Sequence, residues 1–133
     1  MLAGSDRKNK SIMSTSVIFI ILAILFNAGA NILMKAGVMA DPVKLSNGII
    51  PFVLSYITNL KLMSGIACFG IALIFYTKAL EKFNLSIAYP MMTSCGLIIV
   101  TLWSLFVFHE KLSAVQFGGL FMIIGGIWLI NIR

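Results

Sequence analysis

The sequence predicts an all-α integral membrane protein: four transmembrane helices, N-terminus and C-terminus both inside, and a short interfacial helix between the first two spans. Three observations predict it. Of the 133 residues, 60% are apolar, and at about 20 apolar residues per crossing this suffices for about four crossings. Charged residues make up only 11%, less than half the share of about 25% in soluble domains. The apolar residues fall in long runs separated by short polar stretches. A soluble domain of this size could not hide that much apolar surface, and a disordered chain would not carry it.

Residues 1–14 read as a polar, basic tail with Asp6, Arg7, Lys8 and Lys10. Residues 15–133 form one transmembrane domain, with spans at about 15–35, 60–80, 86–108 and 114–131. The run Val17–Leu25 follows positive charge, as a secretory signal would. No small-residue cleavage site leading into a polar mature domain follows it, so a membrane span is preferred. After Lys35 the chain turns polar, with Gly37 and Asp41-Pro42, and reads as a loop. Ile49–Asn59 is apolar but too short to cross, which suits a helix lying along the headgroups.

Lys61 marks one edge of the second span; Lys78, Glu81 and Lys82 mark the other. In the third span, Pro90 and Gly96 are expected to bend the helix. His109-Glu110-Lys111 is so short a connection that spans three and four should form an antiparallel hairpin. Ser113 and Gln116 have capping-box spacing, which starts the fourth span at Ala114. Basic residues set the orientation. Arg7, Lys8, Lys10, Lys78, Lys82 and Arg133 fall on one side, Lys35, Lys44, Lys61 and Lys111 on the other. The excess puts both termini inside, and it rests on the first ten residues.

The net charge of +6 is scattered between apolar runs, so no nucleic-acid stripe is expected. Cys68 and Cys95 sit inside apolar runs and read as small buried residues. His109 is the one histidine, so no metal-ligand spacing exists, and neither metal nor cofactor is expected. Asp6, Asp41, Glu81 and Glu110 all lie in tails, loops or span edges. That gives no carboxylate pair for acid–base catalysis and no midplane proton relay. The chain is not expected to be an enzyme, and no catalytic residue is assigned.

Candidate binding residues are polar groups inside the spans. Asn27, Asn31 and Lys35 are spaced by four and share one helix face. They form a polar ladder with a cation at its mouth, suited to an anionic headgroup. The plainer alternative is hydrogen bonding between helices, with Lys35 reaching for the interface. Tyr89, Thr93 and Ser94 surround Pro90. They line a substrate cavity, or they bond locally to carbonyls freed by the bend. Gly119 and Gly126, beside Gly118 and Gly125, form a small-residue stripe for a dimer interface or for packing within the chain. His109 and Glu110 are read mainly as structural groups of the hairpin.

Several stretches together resemble the drug/metabolite transporter superfamily in its four-helix, small-multidrug-resistance-like form. They are Ala23–Lys35, Ala79-Leu80 leading to Ser86–Pro90, Phe108–Ser113, and the glycines from Gly118 to Gly126. The resemblance implies a transporter that works as a dimer. It also implies departures: Asn27 stands where proton-coupled exporters of that family carry a membrane glutamate, Met92 where they carry a tryptophan, and Ser94 where they carry a glycine. Tyr89, Gly96, Gly119 and Gly126 keep the pattern. The runs Ile87–Pro90, His109-Glu110 and Ile123–Ile127 are similar to the subunits of the aminoarabinose–undecaprenyl-phosphate flippase. That resemblance implies movement of a polyprenyl-phosphate-linked sugar, or a similar anionic lipid, across the bacterial inner membrane. Expected partners are membrane lipids and a second copy or related four-helix subunit. The alternatives are an exporter of polyamines or cationic drugs, and a non-transporting subunit of a glycolipid-modifying complex.

Overall fold

The computed structural model describes residues 2–42 and 48–132, with side chains for 10–42, 48–130 and 132. The side chains of Arg7, Lys8 and Asn131, and all of Lys44 and Arg133, lie outside the described residues. The described chain is all-helical: α1 (Leu2–Ala40), α2 (Ile49–Thr58), α3 (Leu60–Leu80), α4 (Leu85–Phe106) and α5 (Ala114–Asn131).

The first span is longer than the sequence suggests. The backbone of the expected polar tail continues the helix, so α1 has 39 residues and a length of roughly 59 Å. No proline interrupts it before Asp41-Pro42, where the residue before proline disfavours helix. A bilayer core is about 30 Å thick, so α1 must project from it. The stretch apolar enough to cross is Lys10–Ala40.

Among the described residues, Leu60–Leu80 and Leu85–Phe106 are the two other helices long and apolar enough to cross a membrane. The chain is therefore a multi-pass membrane protein. The helix α5 is apolar but shorter, 18 residues, so the structure supports three spans by length and adds a fourth apolar helix. The expected capping box starts it: Gln116 N–H donates to Ser113 Oγ, and Ser113 N–H donates to Gln116 Oε1 at 2.8 Å. The third span ends at Phe106 rather than at 108, and the hairpin connection runs over residues 107–113. Pro90 and Gly96 leave α4 unbroken.

The helix α1 is the hub. It packs along α3 and more briefly against α4; α2 touches α3, and α5 touches α4 alone among the described elements. The α1–α3 contact is close because small residues line it. A Cβ on Gly65 would lie 2.7 Å from Met34 Cγ and 3.0 Å from the Ala30 carbonyl oxygen. A Cβ on Gly37 would lie 2.9 Å from Leu62 Cγ. Ala23, Ala30, Ala72 and Ala79 are buried along the length of the same two helices. At the other end of the same pair, Ile20, Ile24, Tyr76, Ala88 and Met92 form the core shared with α4. Phe75 stacks on Phe19 at 6.0 Å and tilts on Phe26 at 5.6 Å.

Asn59 joins three helices. Its Oδ1 accepts from the N–H groups of Lys61 and Leu62, which caps α3. Its Nδ2 donates to the Gly37 carbonyl of α1 at 3.1 Å. Its own N–H closes α2 on the Ser55 carbonyl.

Large apolar side chains such as Ile74, Phe121 and Trp128 are 63%, 73% and 68% exposed. In water such a surface would aggregate; in hydrocarbon it is the solvent-facing side.

Gly65→Ala is expected to lower thermal stability by about 1–3 kcal/mol, because backbone and Met34 block the added methyl. Gly70→Ala, where a Cβ meets open space, should be neutral or slightly stabilising. Thermal unfolding in detergent, followed by circular dichroism, separates the two. Asn59→Ala removes the cap and the tie to Gly37, and should cost about 1–2 kcal/mol in the same assay.

Candidate functional site

Neutral polar groups line the inside of the helix pair α1–α4. Asn27 is half-buried on α1 and faces Gly96 on α4: a Cβ on Gly96 would lie 3.4 Å from Asn27 Nδ2. A methyl group there would sit at ordinary contact distance from the amide, so the two helices pass closely at this point. One turn on, Asn31 Nδ2 donates to the Asn27 carbonyl at 2.8 Å. That bond stays within α1, so Asn31 does not link helices.

Next on the ladder is Lys35, and here the structure adds what the sequence reading set aside. Lys35 Nζ pairs with Glu110 Oε1 at 2.8 Å. Ser104, in the last turn of α4, donates its hydroxyl to Glu110 Oε2. The Glu110 N–H donates to the Ser104 carbonyl at 3.1 Å, which folds the connection back over the helix end. His109, just before, takes φ 52, a left-handed conformation in which a non-glycine residue is uncommon and which aims the chain reversal. Asn31, Ile32, Lys35, Val100, Ser104, Phe108 and Glu110 line an open recess of about 170 Å³. Drug-sized pockets run to roughly 300–1,000 Å³, so this recess has room for a small group and not for a whole large ligand.

Glu110 is the anion of the site, and its surroundings favour the charged form. The hydrogen bond from Lys35 acts most strongly, then the one from Ser104, and together they hold the carboxyl below the usual glutamate range. Both members of the pair remain about half exposed, 49% and 43%, so the pair is hydrated and contributes little to stability.

The other predicted residues lie elsewhere. Tyr89 is 54% exposed and lines an open surface recess with Leu85, Ser86 and Pro90, towards the opposite end of α4 from Lys35. The Thr93 hydroxyl donates to the carbonyls of Tyr89 and Pro90. Ser94 is buried, and its hydroxyl donates to the Pro90 carbonyl at 2.6 Å. Both thus follow the local back-bonding alternative. Gly119 and Gly126 would each present a Cβ to open space, so the stripe on α5 does not serve packing within the chain. The helices α4 and α5 also enclose an apolar groove of about 200 Å³, lined by Ile98, Leu102, Leu105, Phe117, Phe121 and Ile124 among others.

Ser104 is a site residue that the sequence analysis did not single out, and Glu110 is one that it read mainly as a structural group of the hairpin. A signal was there. The expected topology puts the end of span one and the hairpin on the same side of the membrane, which sets Glu110 opposite Lys35. The serine is a lone polar residue in the apolar run Leu102–Val107.

Residues 58–123 match the family described as Small Multidrug Resistance protein. The match runs from the end of α2 through α3 and α4 into α5, and it supports a small-multidrug-resistance-like protein. It begins after Asn27, Asn31 and Lys35. No solved structure matches the chain.

The pair has a testable acid limit. Its contribution should be fully present above the ordinary carboxylate range and lost as pH falls through the lowered value of Glu110. A ¹³C titration of the Glu110 carboxyl should show a midpoint below that of a free glutamate side chain. In Lys35→Met the midpoint should move up. A midpoint unchanged by that substitution would mean that Lys35 does not hold the carboxylate.

Proposed function

We propose that this small-multidrug-resistance-like membrane protein is a transporter of the flippase kind. It would move a polyprenyl-phosphate-linked sugar, or a similar anionic lipid, across the bacterial inner membrane. The observation that carries this reading is the distribution of charge. All four acidic residues lie outside the three candidate spans, and the carboxylate nearest a cavity, Glu110, already has Lys35 as its partner. A cationic substrate would therefore find no carboxylate within the spans, whereas an anionic headgroup would meet Lys35 in competition with Glu110.

The same geometry suits the rest of such a molecule. Neutral amides and hydroxyls hydrogen-bond a sugar without demanding charge, and Asn27 and Asn31 stand along the path below Lys35. Tyr89, which is exposed, would serve nearer the other membrane face. The apolar groove between α4 and α5 suits hydrocarbon. A lipid tail can stay in the bilayer while only its headgroup crosses, so a narrow polar seam is enough. In this reading α5 makes the fourth crossing and both termini face inside. Gly119 and Gly126 join a second copy or a related four-helix subunit. The two then expose the polar seam alternately to each side. The resemblance to small multidrug exporters also favours a second reading, export of a polyamine or cationic drug, for which a partner subunit would have to bring the carboxylate.

Reconstitution in liposomes distinguishes these. Protein-dependent movement of a short-chain polyprenyl-phosphate sugar is expected. Lys35→Ala should slow it roughly ten-fold or more, the size of a lost charged hydrogen bond. Asn27→Ala should slow it roughly two- to ten-fold. Movement at the parental rate in the lysine variant would remove the assigned role. Uptake of a cationic probe driven by a proton gradient, with no lipid movement, would favour the exporter.

A further inference from the structure

Glu110 occupies the recess as a ligand would. Its two carboxylate oxygens are each held by a different donor: Oε1 by the Lys35 ammonium at 2.8 Å and Oε2 by the Ser104 hydroxyl. A cation and a hydroxyl converging on one planar anion are the donor set that a phosphate oxygen pair needs. We propose that the Lys35–Ser104 recess is an oxyanion-exchange site, in which Glu110 is the resident anion and the phosphate group of an incoming ligand displaces it. The proposal rests on the lipid-phosphate reading above and assigns Glu110 and Ser104 to that site.

Four observations make the exchange feasible. First, Lys35 and Glu110 are both half exposed, so a ligand reaches them without opening a core, and such pairs are held weakly. Second, Glu110 belongs to the 107–113 connection and not to a helix. Its side chain can swing away while its N–H stays on the Ser104 carbonyl. Third, donors remain to replace the lost contacts. One N–H of the Asn31 amide is used on the Asn27 carbonyl, and the second is free to meet a ligand oxygen. Fourth, the charge accounts balance. With Glu110 in place the recess is neutral; with Glu110 displaced it carries the single positive charge of Lys35, which a phosphodiester monoanion neutralises and a phosphate monoester more than offsets. Exchange also explains how an exposed cation is kept from attracting every passing anion: each one must outcompete a carboxylate that is always present.

The test uses the full chain in detergent and two probes, a short-chain prenyl phosphate and inorganic phosphate, with the prenyl alcohol as control. Calorimetric titration reads the affinity. Glu110→Gln, which removes the competitor's charge, should bind prenyl phosphate roughly two- to five-fold more tightly than the parent. Lys35→Gln should weaken binding, and the double variant should match Lys35→Gln with no gain. Glu110→Ala repeats the test without an amide that could still accept from Ser104. Gain with prenyl phosphate alone identifies a lipid headgroup; gain with both probes identifies phosphate from either source. Unchanged or weaker binding in both Glu110 variants, with helicity intact, overturns exchange, as does a gain that persists without Lys35. The outcome is separable from transport. Lipid movement in liposomes with no Glu110 effect keeps the flippase and removes exchange. A Lys35-dependent gain with no lipid movement keeps the site and removes the flippase.

Discussion

The close contact between α1 and α3 is the constraint on which the rest of this molecule depends. In hydrocarbon, two apolar helices gain nothing by hiding from solvent, because lipid is as apolar as leucine. They associate where backbones can approach, and here they do so at Gly37 against Leu62 and at Gly65 against Ala30 and Met34. With α3 seated there, α1 is held at the centre, and its other face is left to α4. That face carries Asn27 and Lys35. The packing of one side of a helix thus sets which residues of the other side can form a site.

Asn59 extends this control to the chain connection. Its side chain caps α3 and holds the end of α1 through Gly37, so the same residue that starts one helix registers it against its neighbour. The helix α2 ends on that residue and packs against α3. Its apolar side chains Ile49, Ile50, Val53, Leu54 and Ile57 are exposed.

Charge follows the same economy. Burial of an isolated ion in the bilayer is expensive, and the described spans carry neutral amides and hydroxyls where they need polarity. Several of those groups are satisfied within their own helix: Ser16 on Ile12, Asn31 on Asn27, Ser94 on Pro90. The Lys35–Glu110 pair stands between α1 and the hairpin connection, and both side chains are about half exposed. Water can reach it there, and its charges offset one another. The result is a polar seam that is neutral in the interior and bipolar at its rim.

Much of this was readable beforehand. Apolar runs and their punctuation located the helices, because helix in a bilayer is dictated by length and by the need to satisfy every backbone group locally. The Ser113–Gln116 capping box was readable for the same reason: its partners are three residues apart. Helix ends were less so. The polar residues before Thr15 extend α1, because polarity says where hydrocarbon stops and not where a helix stops. Spacing by four placed Asn27, Asn31 and Lys35 on one face, but could not say that Asn27 meets Gly96 or that Lys35 meets Glu110. Those pairings join residues 69 and 75 positions apart in the chain, and only the packing of α1 against α4 decides them. Composition and periodicity by themselves determined that the chain is helical and lives in a membrane. Which polar groups share a recess, and that Lys35 comes with a resident anion, was decided by tertiary structure, since distance between residues on different helices is set by how closely their backbones can pack.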